Sequence, residues 1–166
     1  GDRQTYPRNE GWKMSFVFDA GSILLLSREL GRDVIDVVRG QLTASLAFYE
    51  IGNVLWKECC LLKRLDMAEA TGTLGFINAL MKVMKVLNVE GSGLGSSVLA
   101  NAVRLRITFY DSAYLTLAEK FKAVLVTDDK GLAKTSRKIG IKVLAAEELM
   151  SREGRINARH EQGTSA

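Results

Sequence analysis

Five carboxylates stand out in this sequence because each sits where an acidic side chain is awkward. Asp19 closes the run "FVF", and Glu50 lies inside the apolar stretch "SLAFYEIGNVLWKECCLL". Asp111 is set among aromatics in "ITFYDSAYLTLAEK", and Asp128 and Asp129 follow "LVT" side by side. Two adjacent like charges at the end of a buried run repel each other and lose hydration, so they need a reason. Each carboxylate has a plain structural one. Asp19, and one of Asp128 and Asp129, can cap the helix that follows. Asp111 has the S/T-x-x-D/E spacing of a capping box with Thr108. Glu50 with Asn53 and Lys57, at i, i+3 and i+7, can be the polar stripe of an amphipathic helix. The chemical alternative is that these groups converge. A cluster of three or four carboxylates stays ionised only beside a counter-charge, and a hard divalent cation such as Mg²⁺ or Mn²⁺ takes oxygen ligands of this kind. Such an ion lowers the pKa of a water and stabilises charge on a phosphoryl oxygen.

The remaining residues narrow the chemistry. The one histidine, His160, falls in a polar tail, and no serine or cysteine stands in a nucleophilic arrangement, so acid–base work falls to carboxylates. Cys59 and Cys60 are adjacent, a poor geometry for a disulfide, and fit buried thiols in a reducing compartment. The balance of 23 basic against 19 acidic residues, a net charge of +4, leans weakly towards a polyanionic partner. An acidic metal pocket in a basic chain suits phosphodiester hydrolysis, the basic residues holding the substrate's backbone. Lys57 shares the stripe of Glu50, and Lys130 and Lys134 follow Asp129 closely enough to contact a phosphate. The glycines of "VEGSGLGSS", Gly91, Gly93 and Gly95, imitate a dinucleotide loop, but G-x-G-x-x-G requires a glycine where Ser96 stands. They read as a connector, with Ser96 or Ser97 capping the next helix. Aspartyl-phosphate chemistry of the haloacid type needs a second aspartate two residues after Asp19, where Gly21 stands.

The elements that must position these groups follow from periodicity. A chain of 166 residues suffices for one domain with a sizeable core. Residues 1–13 and 151–166 are polar and lack period, which leaves 14–150 as the domain and the ends as an extension and a loose basic tail. Short apolar runs at 15–19, 41–45, 85–89, 123–127 and 142–145 predict strands, the third of them also readable as a helix end. Helical patterns are expected at 21–29, 31–39, 45–64, 67–84, 95–106, 110–121 and 130–138, with a last turn at 146–150. The alternation predicts an α/β domain with a mainly parallel central sheet of about four or five strands flanked by helices, whose sites gather at the carboxyl ends of the strands. No apolar run approaches the roughly 18 residues of a membrane span.

In this order, "FVFDAGS", "FYEIGNVLWK", "TFYDSAYLTLA" and "LVTDDKGLA" resemble the PIN-domain ribonucleases, most closely the VapC toxin family, over residues 15–150. The stretch 65–95 carries no signature of that family. The resemblance implies a single PIN-like domain acting as a Mg²⁺- or Mn²⁺-dependent endoribonuclease that leaves 5′-phosphate and 3′-hydroxyl ends. It implies that Asp19, Glu50, Asp111 and Asp129 are catalytic and hold the metal, with Asn53 and Thr127 orienting ligands and Asp128 in an outer position. It further implies a cytoplasmic VapBC-type toxin, RNA as substrate, a small antitoxin over the acidic cleft, and a homodimer with an interface near 67–84. Two other readings stay open: a catalytically idle PIN-fold module that binds RNA or protein, and a nucleotide-binding α/β protein using the loop at 91–95.

Overall fold

A computed structural model describes residues 14–152 of the chain. The expected extension at 1–13, and the tail from 153 onward with His160, lie outside the described residues. Five strands form where the apolar runs predict them: β1 Phe16–Phe18, β2 Leu42–Ala44, β3 Lys85–Leu87, β4 Val124–Val126 and β5 Val143–Leu144. They make one sheet in the order β3-β2-β1-β4-β5, every pairing parallel. A parallel sheet is covered on both faces, so its strands read as continuous apolar runs. β1, β2 and β4 are buried at every position, while β3, at the edge, is not.

The chain leaves the central β1 for β2 and β3 on one side, then returns to build β4 and β5 on the other. The crevice above the junction of β1 and β4 is therefore the topological switch point, where doubly wound sheets place their sites. Register makes this concrete. Phe16, Val17 and Phe18 pair with Val124, Leu125 and Val126, so the two strands end level. The next residues, Asp19 and Thr127, are thereby brought side by side. Polar residues on β2 are absorbed by the sheet itself. Gln41 Oε1 accepts from the Phe16 N–H at 2.9 Å, and the Thr43 hydroxyl donates to the Phe18 carbonyl at 2.8 Å.

Among the described residues the sheet is flanked by α1 Ala20–Leu30, α2 Val34–Val38, α3 Leu46–Cys60, α4 Met67–Val83, α5 Gly95–Leu105, α6 Phe109–Phe121 and α7 Lys130–Lys138. Residues 146–152 are also helical, two residues further than the predicted turn. α6 carries the longest unbroken buried run of any helix described, from Ser112 to Ala118, and it lies against β1, β2 and β4. The core around it includes Phe18, Ile23, Ile51, Ile77, Leu115 and Leu125.

Four local expectations are corrected. The helix expected over 31–39 is interrupted, because Gly31 adopts φ +54° and ends α1, and a tight 3-10 turn over Gly31–Asp33 precedes the short α2. α3 stops at Cys60 rather than 64; Lys63 has φ +52°, and Asp66 and Glu69 start α4 with reciprocal 2.8 Å capping bonds. Neither Ser96 nor Ser97 caps α5. The helix begins at Gly95 behind the buried Leu94, which leaves both serines exposed within the first turn. The glycines before it are a connector, in which Asn88 Oδ1 accepts from the Gly91 N–H at 3.1 Å. Finally, of the large apolar residues on α4 only Met67 is well exposed. Such side chains gather instead on α3 (Tyr49, Trp56), α5 (Leu99, Val103) and the first turn of α6 (Phe109, Tyr110).

Phe18 sits on the central strand with no exposed surface. Phe18→Ala is expected to cost about 3–5 kcal/mol in urea unfolding, whereas Met67→Ala on the surface should stay within about 0.5 kcal/mol.

Candidate active site

Asp19 is the residue after β1 and the N-cap of α1. Its Oδ1 accepts the Ser22 N–H at 2.8 Å, and its Oδ2 accepts a short hydrogen bond from the Thr127 hydroxyl. The Ser22 hydroxyl lies 3.0 Å from the carbonyls of both Asp19 and Val126, which ties the two strand ends together. Thr127 in turn accepts from the Asp129 N–H at 3.1 Å, so one hydroxyl links Asp19 to the turn that carries Asp129. Asp129 is the N-cap of α7, its Oδ1 accepting from the Leu132 N–H at 2.7 Å. Asp128 turns the other way, Oδ1 accepting from the Ala146 N–H at 3.3 Å. The adjacent aspartates thus have separate tasks: one starts α7, the other anchors the start of the last helix.

Asp111 arrives from α6. Thr108 caps that helix by accepting from the Asp111 N–H at 3.0 Å, but the reciprocal bond of a capping box does not form, which leaves the carboxylate to the cleft. Glu50 arrives from α3, where Ala47 and Ile51 point into the core and Glu50 is half-buried. Its Oε1 accepts from the hydroxyl of Tyr114 at 2.8 Å. Tyr114 is three residues beyond Asp111 on α6 and only 1% exposed.

The carboxylates share one field. Burial pushes Asp19 above the ordinary range; hydrogen bonds from Thr127 and Ser22 oppose this, and the charge of Asp128 adds to it. Burial also raises Glu50, the Tyr114 hydroxyl opposes, and Asp19 and Asp111 add repulsion. Asp111 is raised first by burial and also by Asp129, with Thr108 opposing. A continuous series of repulsions therefore runs from Asp128 through Asp19, Glu50 and Asp111 to Asp129. Burial, and then the charge of Glu50, hold the Tyr114 phenol far above its usual value, so it remains a donor.

These residues suit a hard divalent cation by donor chemistry. Every group is a carboxylate, the neighbouring charges acting on them are carboxylates too, and Glu50 Oε2 and Asp129 Oδ2 accept no hydrogen bond among the described residues. Among those residues no three acidic, histidine or cysteine side chains stand together at metal-ligand spacing, so the groups are neighbours in a field, not a closed cage. Asn53 and Lys57 lie exposed on α3, and Lys130 and Lys134 are exposed on α7. Asn53 makes no hydrogen bond among the described residues; Thr127 and Tyr114, not Asn53, orient carboxylates here. Tyr114 and Ser22 were not among the candidates in the sequence. The signal for Tyr114 was a phenol in the aliphatic helix "AYLTLA", because a buried tyrosine needs an acceptor.

A parallel α/β sheet whose switch point gathers carboxylates from β1, α3, α6 and the β4–α7 turn defines a PIN-type domain. No protein-family model matches the chain. Two curated relatives do, both from Pyrobaculum aerophilum. Exonuclease VapC9 is 39% identical over 100 residues, covering 60% of this chain and 70% of that protein. Ribonuclease VapC3 is 29% identical over 127 residues, covering 73% and 94%. The crystal structure of PAE2754 from the same organism superposes with a TM-score of 0.69 at 30% identity, covering 84% of this chain and 88% of that one. The chain belongs to the VapC family of PIN-domain proteins.

The raised pKa of Glu50 sets a direction for stability. In cation-free protein, ionised Glu50 costs stability; that cost is absent below the ordinary carboxylate range and develops as pH rises through the raised folded value. Glu50→Gln, which keeps an acceptor for Tyr114, should be more stable than wild type near pH 7.5 and lose that advantage by about pH 4, as read by urea unfolding in EDTA.

Proposed function

We propose that this protein is a divalent-metal-dependent endoribonuclease and the toxin of a VapBC-type pair, with Asp19, Glu50, Asp111 and Asp129 holding Mg²⁺ or Mn²⁺. The observation that carries the reading is the run of mutually repelling, partly desolvated carboxylates at the switch point, acted on by one another's charge. The names of the two relatives, a ribonuclease and an exonuclease, support nuclease chemistry. A bound divalent cation would supply the counter-charge for the cluster and stabilise negative charge on the scissile phosphate.

The chain's own residues do the rest. Thr127 and Tyr114 hold Asp19 and Glu50 in fixed orientations, and Asp128 keeps the rim in place through Ala146. A carboxylate of the cluster takes a proton from the attacking water, which adds to phosphorus as the bond to the 3′-oxygen breaks, and that oxygen leaves as a hydroxyl with a proton from solvent. That cleavage leaves 5′-phosphate and 3′-hydroxyl ends. Lys57, Lys130 and Lys134, exposed on the two helices bordering the acidic groups, supply charge for neighbouring phosphates. The rim is exposed at Asn53, Asp129 and Lys130, so a strand can cross the site without presenting an end. This favours internal cleavage over the exonuclease activity named for one relative.

The toxin reading brings a small antitoxin that covers the acidic cleft, and a cytoplasmic location. Among the described residues no helix is long and apolar enough to cross a membrane. It also brings a homodimer, for which the exposed Leu99, Val103, Phe109 and Tyr110 of α5 and α6 are a better surface than α4. Val103→Glu is expected to shift a concentration-dependent dimer to monomer in sedimentation without lowering Tm.

The central test is incubation of circular single-stranded RNA with Mn²⁺, Mg²⁺ or EDTA, alongside Asp111→Asn. Metal-dependent opening of the circle, reduced about 100-fold or more in the variant, is the expected result. Shortening of linear RNA with circles left intact would make the protein an exonuclease. Mn²⁺ binding without any cleavage would make it an idle binding module.

A further inference from the structure

Glu50 differs from the other acidic groups in how it is held. Asp19 and Asp129 are short side chains fixed at helix N-termini by backbone N–H groups, and Asp111 sits one residue from the buried stretch of α6. Glu50 has one more torsion than an aspartate and no backbone donor. Among the described residues, its single hydrogen bond comes from the Tyr114 hydroxyl, 64 positions along the chain. A half-buried glutamate on a helix can otherwise swing its carboxylate into water, where it is better hydrated.

The phenol itself has no such freedom. Tyr114 lies in the middle of the run of α6 that is buried at every position, and it is among the largest fully buried side chains of the fold. Its ring packs in the core while its hydroxyl donates to Glu50 of α3. Because Asp111 and Tyr114 are three residues apart on one helix, they stand on the same face. A single rigid element therefore carries one carboxylate and sets the position of another. Thr127 performs the equivalent task for Asp19 from the other side of the site. The Tyr114 bond restricts where Glu50 can point and leaves its Oε2 without a hydrogen-bond partner among the described residues.

We propose that Tyr114 is a positioning residue for the metal site: its hydroxyl holds Glu50 towards the cleft so that a cation meets an already ordered carboxylate. This rests on the reading of the acidic cluster as a divalent-cation site. Outer groups that orient a ligand typically account for about 10–100-fold in metal affinity. Phenylalanine in place of Tyr114 keeps the ring and removes only the donor.

The test is Mn²⁺ titration of the purified protein without RNA, followed by calorimetry or by the loss of the free-ion EPR signal. Wild type, Tyr114→Phe, Glu50→Gln and the double variant are compared, with Glu50→Asp as a second probe that draws the carboxylate out of the phenol's reach without touching the core. Tyr114→Phe and Glu50→Asp should each weaken Mn²⁺ about 10–100-fold, with thermal unfolding still cooperative. Adding Tyr114→Phe to Glu50→Gln should cause no further loss, the non-additivity that marks a residue acting through its neighbour. Wild-type affinity in Tyr114→Phe, or losses that add in the double variant, would overturn the role of Tyr114 alone. Folded wild-type protein that binds no Mn²⁺ would overturn the cation-site reading and the proposal with it.

Discussion

The parallel pairing of β1 with β4 is the constraint on which the rest of the structure depends. The two strands run in step through three residue pairs and end level, and the chain continues on each as a polar residue at the same height. Asp19 and Thr127 meet there although 108 positions separate them, and the Asp19 N–H extends the ladder by one more bond, to the Val126 carbonyl at 3.2 Å. Both strands are apolar and buried along their whole length, so the first polar residue on each falls at the same end of the sheet. The crossover that brings β4 back beside β1 also makes this junction the switch point of the sheet, with α3 and α6 on its flanks.

Capping a helix and joining an acidic cluster compete as explanations for an aspartate at a strand end, and here they coincide. Asp19 and Asp129 each give one oxygen to a backbone N–H of the helix they begin. The partial positive charge of a helix N-terminus favours the ionised form of Asp19, which offsets part of the cost of its burial. The other oxygen of Asp129 stays available, and that of Asp19 is oriented by Thr127. A contrasting case lies on the surface: Asp66 and Glu69 spend their carboxylates on each other's backbone in a full capping box, exposed and remote from the cluster. Asp111 shares that sequence pattern with Thr108 but forms only half of it, and its carboxylate remains with the cluster.

Two hydroxyls give the site its order. Thr127 and Tyr114 are almost wholly buried, come from different elements, and each donates to a carboxylate of the cluster. Such buried donors are stable only with their acceptors in place, and the acceptors are oriented only by the donors. Assembly of the core and ordering of the acidic cleft are therefore one event. A cleft built in this way already opposes like charges before any cation arrives, a strain typical of sites that bind ions.

The sequence by itself determined the order of strands and helices, the enclosed character of the sheet, and the identity of the acidic residues. Burial leaves periodic marks, and the runs "FVF", "LTA" and "VLV" are continuous because both faces of their strands are covered. It placed the end of α1 within a residue but did not determine that the next helix starts only at Val34, because the 3-10 turn over Gly31–Asp33 leaves no periodic mark. Nor did it show that Leu94, not Ser96 or Ser97, stands at the N-cap of α5, although the helix itself was legible from residue 95. Tertiary structure alone decided that Asp129 caps α7 while Asp128 serves Ala146, because the two are indistinguishable until the last helix is placed. The same holds for Tyr114 and Glu50. Spacing within α6 makes the tyrosine a core residue, but only the folded chain brings Glu50 of α3 to the buried hydroxyl as its acceptor.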